Sequence, residues 1–311
     1  MNVLVIGCGN IGALYDFQTE EIKTHCKALS MLPSVTVSVY DEDITLSKKV
    51  AEKYGFTCIP QKTDICLSEF QWVVIASPTD THLYWLMESF RANVPLIICE
   101  KPVAKTADEL MELEKLYNSH KTKIVVNYFR RFLPAYSQLK ENIISLGANP
   151  THVVVKYQRG LMNNFSHAAD LMSFIFGAHS FENINVSQSV FDEFNDDPTL
   201  SFTCAYNKIP VSVIGLAHAR YSYFEIEMFF KDKKIHISDN GNKITYHSAV
   251  PTDRYYQPLQ REQIENEDSL LTENMKYVYQ HVVEVFEDRQ HDNFISSVKM
   301  NRNILQIIQN L

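Results

Sequence analysis

Two short polar segments carry residue types that could move a proton. Glu100, Lys101 and Pro102 directly follow the apolar run 96–99. A lysine at the C-terminal end of a parallel strand faces the ligand crevice, where burial and neighbouring cations can tune its amine for general acid–base work. His167 and Asp170 open an apolar helical stretch, and their spacing puts both on one side of its first turn. The alternatives are a solvated surface lysine and a capping or core histidine.

A glycine-rich segment at the N-terminus indicates a phosphate-binding loop. Residues 3–6 are apolar, and the GxGxxG that follows consists of Gly7, Cys8, Gly9, Asn10, Ile11 and Gly12. The first glycine permits a tight turn, the second lets the backbone approach a pyrophosphate, and the third allows a helix to pack closely on the strand. We expect that helix to present its N-terminus to the phosphates. The alternative is an ordinary glycine-rich turn.

An acidic residue at the end of the second predicted strand indicates the cofactor. Asp41 ends the run 35–40 and is followed by Glu42 and Asp43. A carboxylate there accepts hydrogen bonds from ribose hydroxyls and repels a 2′-phosphate, which favours NAD over NADP. Asp41 comes later than the usual ~20 residues after the loop, and an insertion over 15–25, with Tyr15, Asp16 and His25, explains the delay. The alternative is that Asp41 only caps a turn.

The elements that must position these residues follow a regular alternation in the first part of the chain. Apolar runs at 3–6, 35–40, 72–76, 96–99 and 124–126 each end in a polar or glycine-rich group, and helical patterns lie between them. Near-continuous apolar strands separated by helices predict a doubly wound parallel sheet, with ligands at the C-terminal ends of its strands. We therefore predict an α/β Rossmann domain over residues 1–121.

The pattern changes in the second part of the chain. A helix is expected over 134–146, followed by strand-like segments at 152–157, 181–190, 200–206, 211–217, 224–231 and 234–238. Helical stretches close the chain at about 272–288 and 294–309. Sequential strands with few helices predict an α+β domain over 122–311, an open, mostly antiparallel sheet backed by helices, which binds substrate and makes the oligomer.

Composition excludes several classes of protein. The formal net charge of −8 argues against a nucleic-acid binder, and no apolar run reaches the ~18 residues of a membrane span. The six cysteines show no metal-binding spacing, so we expect reduced core thiols, a cytoplasmic protein and no metal site.

These residues together resemble the Gfo/Idh/MocA oxidoreductase family over nearly the whole chain. The matching segments are Gly7 to Gly12, then Ser77, Pro78, Thr79 and His82, then Glu100 to Pro102, then the linking segment that begins Asn127, Tyr128, Phe129, Arg130 and Arg131, and finally His167 with Asp170. The resemblance implies that Ser77, Pro78, Thr79, His82, Glu100, Lys101 and Asn127 join Asp41 and the glycine loop in binding the cofactor. It also implies Lys101 as the catalytic residue with a cis peptide before Pro102, His167 as its assistant, and a homodimer or homotetramer.

Two departures leave the substrate open. Asn163 stands where many sugar and inositol dehydrogenases carry aspartate, and asparagine cannot take a proton. Phe165 replaces the usual glycine two residues before the histidine. The resemblance implies a sugar, cyclic polyol or sugar-nucleotide substrate, with Asn163, Asp170, Tyr128, Arg130 and Arg131 as candidates to contact it and Arg159 as a further anion-binding candidate. The alternatives are an imine or biliverdin-type reductase and a non-catalytic dinucleotide sensor.

Overall fold

The structure is a computed structural model, and it describes residues 1–252, 257–262 and 270–311. The chain forms two compact units. The first consists of Met1–Phe132 and Thr272–Arg302, and the second of Leu133–Leu271 and Asn303–Leu311.

A parallel sheet forms the centre of the first unit. Its six strands lie in the order β3-β2-β1-β4-β5-β6. They are β1 (Asn2–Ile6), β2 (Thr36–Tyr40), β3 (Thr57–Cys58), β4 (Trp72–Ile75), β5 (Leu96–Cys99) and β6 (Lys123–Val126). The helices are α1 (His25–Ser30), α2 (Ile44–Tyr54), α3 (His82–Arg91) and α4 (Ala107–Ser119). Apart from the exposed Asn2, the residues of β1, β4 and β5 are almost completely buried because helices cover both faces, as near-continuous apolar strands require.

The predicted boundary at residue 121 differs from the division into units. β6 pairs in parallel with β5, so the segment after residue 121 still belongs to the first sheet. Helix α7 (Asn274–Phe286) also packs in the first unit, where Met275, Val278 and Tyr279 join the core cluster around Val3 and Val5. We had assigned this closing helix to the second domain, because sequence order does not reveal which core a terminal helix completes.

An open sheet forms the second unit. Its eight strands lie in the order β14-β13-β12-β11-β7-β10-β9-β8, and among the described pairs only β7 with β10 is parallel. They are β7 (His152–Tyr157), β8 (Phe181–Val190), β9 (Thr199–Tyr206), β10 (Ile209–Gly215), β11 (Phe224–Phe229), β12 (Lys233–Ser238), β13 (Lys243–Ala249) and β14 (Leu259–Arg261). The helices α5 (Pro134–Ser145) and α6 (Ser166–Phe176) lie in this unit, and α8 (Phe294–Gln309) closes the chain. The predicted fold classes of both parts are confirmed.

Candidate functional site

The glycine loop lies where the strand order of the parallel sheet reverses. β1 has β2 on one side and β4 on the other, so the C-terminal ends of β1 and β4 flank the crevice in which this fold class binds ligands. Gly7 follows β1 with φ of +97°, and a side chain there would lie 2.6 Å from the backbone of Ala76 and Ser77. A side chain at Gly12 would collide with the carbonyl oxygen of Gly7. These two glycines are therefore required by the turn itself.

Gly9 differs from its two neighbours in the motif. A side chain built at Gly9 meets nothing within 4 Å, so the loop leaves open space there. The loop continues into a five-residue π-helical turn, Asn10–Leu14, and not into the α-helix that we predicted after it. α1 begins only at His25, after the insertion. The open backbone at Gly9 fits a pyrophosphate, but among the described residues no α-helix begins at the loop to present its N-terminus there.

Asp41 binds the glycine loop directly. Its Oδ2 accepts a hydrogen bond of 2.7 Å from the amide of Cys8, and its Oδ1 accepts one of 2.9 Å from the amide of Asp43. The turn-capping role that we kept as an alternative is therefore present. A carboxylate has about four acceptor positions, so two remain for the hydroxyls of a ribose.

A buried histidine joins the loops that follow β4 and β5. Nε2 of His82 lies 2.9 Å from the carbonyl oxygen of Ser77, and Nδ1 lies 2.9 Å from that of Pro102. The hydroxyl groups of Ser77 and Thr81 are 2.7 Å apart, which adds a second tie within the first loop. Burial lowers the pKa of His82, although both backbone contacts oppose this. His82 therefore fixes the position of the two strand-end loops from beneath.

Glu100 and Asn127 meet at the ends of β5 and β6. Nδ2 of Asn127 donates a hydrogen bond of 2.6 Å to Oε1 of Glu100. Asn127 is buried, and its Oδ1 has no hydrogen-bond partner among the described residues. A buried carbonyl without a donor costs free energy, so this atom fits the amide or hydroxyl of a bound molecule. Lys101 is half-buried beside this pair, and the peptide between Lys101 and Pro102 is cis, as predicted.

The predicted substrate residues of the linking segment lie deeper than we expected. Tyr128 is 1% exposed and its hydroxyl donates to Oδ1 of Asn301 at 2.8 Å. Arg130 is buried, with its guanidinium 4.7 Å from the ring centre of Phe129, whereas Arg131 is half-buried and donates to Ser296 at 3.4 Å. Tyr128 and Arg130 are enclosed by protein and Arg131 is more accessible, and contact of these three residues with substrate stays a prediction.

The second unit supplies a separate group of candidates around the start of α6. A π-helical turn, Leu161–Phe165, carries Asn163 and leads into α6, which carries His167 and Asp170. Phe165 is fully buried against Tyr157, Phe181 and Phe202, so the departure from glycine supplies a packing anchor. Asp170 is buried on the same helix. Arg159 pairs with the carboxylate of Glu193 through two hydrogen bonds of 2.7 and 2.6 Å, which occupies this anion-binding candidate.

One acidic residue, Asp197, escaped the sequence reasoning. It accepts hydrogen bonds from the amides of Met162 and Asn163 at 2.7 and 2.8 Å, and so holds the turn that carries Asn163. Gly160, just before this turn, has a positive φ and lies against the Asp197 carboxylate, so this glycine is the sign of the contact in the sequence.

Asp16 and His25 belong to the insertion that the sequence singled out. Asp16 closes the insertion, and His25 is completely buried and contacts Glu100.

Metal and cysteine chemistry find little support in the part of the chain that the structure describes. No group of three or more potential metal ligands occurs among those residues. All six cysteines are free thiols, and burial raises the pKa of Cys8 and Cys204 to about 12. Among the described helices, none is long and apolar enough to cross a membrane.

Comparison with known proteins agrees with the geometry of the first unit. Residues 1–128 match the model of an oxidoreductase family with an NAD-binding Rossmann fold. Inositol 2-dehydrogenase of Rhizobium meliloti (strain 1021) is 30% identical over 142 residues, which are 45% of this chain and 39% of that protein. The uncharacterized oxidoreductase YrbE of Bacillus subtilis (strain 168) is 25% identical over 264 residues, 78% of this chain and 74% of that protein.

A solved structure extends the likeness of fold to the rest of the chain. UDP-N-acetylglucosamine 3-dehydrogenase GnnA from Acidithiobacillus ferrooxidans superposes with a TM-score of 0.76 at 15% identity, covering 98% of this chain and 96% of that one. At the sequence level, this chain spans less than half the length of several curated relatives that it matches. Residues 1–128 thus match the model of the Gfo/Idh/MocA family of oxidoreductases, the family that the sequence motifs resemble.

Proposed function

We propose that the protein is an NAD-dependent dehydrogenase acting on a secondary hydroxyl group of a sugar, cyclic polyol or sugar nucleotide. The observation that carries the proposal is Lys101, which follows β5 at the same edge of the parallel sheet as the open backbone of Gly9. A non-catalytic dinucleotide sensor needs the glycine loop to bind its ligand but does not need a lysine at the end of β5. The family match and the names of the relatives support the same class of reaction.

The cofactor side of the proposal uses residues of the first unit. The loop from Gly7 to Gly12 binds the pyrophosphate, Asp41 accepts hydrogen bonds from the adenosine ribose, and the loop from Ser77 to Thr79 borders the nicotinamide ribose. Oδ1 of Asn127 is a free acceptor for the same ligand. When bound, the nicotinamide ring supplies the hydride acceptor or donor.

Toward the substrate, one residue transfers the proton and others orient the reacting group. The amine of Lys101 takes the proton of the substrate hydroxyl during oxidation and returns it during reduction, as general acid–base catalysis requires. His167 assists or orients, and Asn163 donates or accepts a hydrogen bond without titrating. Asp170 supports this helix, and Arg131 is the more accessible of the two neighbouring arginines, Arg130 and Arg131, proposed for an anionic group of the substrate.

Replacement of Lys101 by methionine tests the assignment, because it keeps the bulk and removes the titrating amine. Lys101→Met should lower turnover by roughly 10²-fold or more, the usual scale for loss of a general acid or base, while NAD binds nearly as before. Turnover would be measured with inositols and UDP-sugars, and with any ligand that mass spectrometry finds in the purified protein.

Lys105→Met provides the matched control, since Lys105 is an exposed lysine in the same loop that pairs with Asp80. It should keep full turnover. If Lys101→Met is as active as wild type on the true substrate, the mechanism is wrong and the sensor alternative gains. Titration with both cofactors checks Asp41, because clearly tighter binding of NADP would contradict its assignment to the ribose. A cytoplasmic location, expected from the free thiols, remains part of the proposal.

A further inference from the structure

Four buried side chains of the first unit form one hydrogen-bonded cluster next to Lys101. The hydroxyl of Tyr279 lies 2.9 Å from Nδ1 of His25, and Nε2 of His25 lies 3.0 Å from Oε1 of Glu100. The same Oε1 accepts a hydrogen bond of 2.6 Å from Asn127. His25 is 0% exposed and Tyr279 is 1% exposed, so the cluster is shielded from water. We call these four residues the His25 cluster.

The insertion between the glycine loop and α1 builds this cluster. Asp16 accepts hydrogen bonds from the amides of Lys23 and Thr24 at 2.6 and 2.8 Å and from the hydroxyl of Thr24 at 2.7 Å. Thr24 in turn caps α1, of which His25 is the first residue. The amide of Ile22 donates to the carbonyl oxygen of Thr272 at 2.8 Å, which ties the insertion to the start of α7. The insertion therefore brings His25 and Tyr279 together beneath Glu100.

Tyr279, at the far end of the cluster, keeps its proton, because burial raises the pKa of its hydroxyl well above the ordinary value. A phenol that keeps its proton can donate to Nδ1, which leaves the Nε2 proton of His25 directed at Glu100. The cluster therefore holds the carboxylate of Glu100 in one position.

Glu100 stays ionised although it is buried. Burial raises its pKa, but the hydrogen bonds from His25 and Asn127 and the charges of His25 and Lys101 outweigh this, and the net effect is a lowered pKa. The other titratable groups that interact with Glu100 are Cys99, His82 and Tyr279. Burial raises the pKa of Cys99 and Tyr279 and lowers that of His82, so it favours the neutral form of all three.

We propose that His25 is a positioning residue of the reaction centre, which holds Glu100 as an oriented, ionised carboxylate beside Lys101. This proposal rests on the proposed role of Lys101 as acid and base. A carboxylate next to an amine favours the ammonium form, so Glu100 sets the pH at which Lys101 becomes a base. Removal of the His25 donor raises the pKa of Glu100 and also releases its carboxylate from the fixed place beside Lys101. Because the displaced charge then favours the ammonium form less, the rising limb of the rate profile for alcohol oxidation moves to lower pH.

Two substitutions of His25 separate its hydrogen bond to Glu100 from the packing of its ring. His25→Gln keeps an amide donor near the place of Nε2, and His25→Leu removes it. Glu100 is followed by carbon-13 NMR of carboxyl-labelled glutamate, with Glu100→Gln used for assignment, and kcat/KM is measured against pH. His25→Leu should raise the pKa of Glu100 by ~1 unit or more and shift the rising limb by about half a pH unit or more toward acid, and His25→Gln should restore most of both.

The control is His120→Leu, which removes a half-buried histidine of the same unit whose Nδ1 contacts the carbonyl oxygen of Leu116. It should change neither the Glu100 titration nor the rate profile. An unchanged Glu100 titration in His25→Leu overturns the proposal, whatever the activity. A shifted titration with an unshifted rate profile also overturns the proposal, because the held carboxylate then does not tune Lys101. Failure of the proposed function is distinguished from this by full turnover of Lys101→Met.

Discussion

At the scale of single residues, glycine is needed at the three loop positions for different physical reasons. Gly7 and Gly12 are enforced by contacts within the protein, because a side chain at either position would overlap backbone atoms. Gly9 has no such constraint, and its open surroundings are explained only by a molecule that approaches the backbone. The same motif thus contains positions selected for folding and one selected for binding.

This difference predicts opposite results for two matched substitutions. Gly12→Ala should lower the free energy of unfolding by about 2 kcal/mol, because the new methyl group overlaps a carbonyl oxygen that belongs to the rigid turn. Gly9→Ala should unfold at the wild-type temperature but bind NAD roughly tenfold or more weakly. Thermal unfolding and fluorescence titration of both variants measure this. Equal NAD affinity for Gly9→Ala and wild type would contradict the placement of the pyrophosphate.

At the scale of elements, the pattern of apolar residues predicted the buried strands but not the short ones. The buried strands of the first sheet were found because they are continuous apolar runs, and β7 and β8 were predicted with the bounds that the structure has. The two-residue β3, the edge strand β14 and its neighbour β13 were not found. β3 and β14 are too short to show a period, and β13 is mostly half-buried without a regular alternation.

Long-range contacts account for the remaining differences. The contact between His25 and Tyr279 joins residues 254 positions apart, and the burial of Tyr128 depends on Asn301. The glycine motif predicted a helix directly after the loop, but a five-residue turn stands there and is followed by the insertion that Asp16 closes. Motifs therefore located Lys101, Asn127 and the loop, while the partners that orient these residues come from elements distant in the chain.

The turn before α6 offers an element-scale prediction. Both oxygens of Asp197 accept backbone amides of this turn. Asp197→Asn places an amide NH₂ group against one of these donors, and we expect the free energy of unfolding to fall by about 2 kcal/mol at neutral pH. Urea unfolding of the variant measures the effect. The exposed neighbour Asp196 gives the control, since Asp196→Asn should change stability little. Equal stability of the two variants would contradict the role of Asp197 in holding this turn.

At the scale of the whole molecule, the open face of the second sheet is the surface on which we expect an oligomer to form. We predicted an oligomer because strands such as β11 were expected to present apolar side chains on both faces. This reason is wrong for β11: its half-buried face carries Glu225 and Glu227, which pair with Lys156, Lys234 and His236 at 2.6 to 3.8 Å. An interface on this face would therefore combine ion pairs with a few apolar contacts, of which Ile214 is one.

Ile214 allows the prediction of an oligomer to be tested without disturbing the fold. It is 41% exposed on β10, and β-sheet register places it beside Lys156 on the half-buried face. We expect wild type to form a dimer or tetramer in light scattering at micromolar concentration, and Ile214→Arg to dissociate it, because a buried unpaired guanidinium opposes association. Ile144→Arg, at a 62% exposed isoleucine on α5, should leave the assembly intact. A wild-type monomer would contradict the prediction, and an unaffected Ile214→Arg oligomer would place the interface elsewhere.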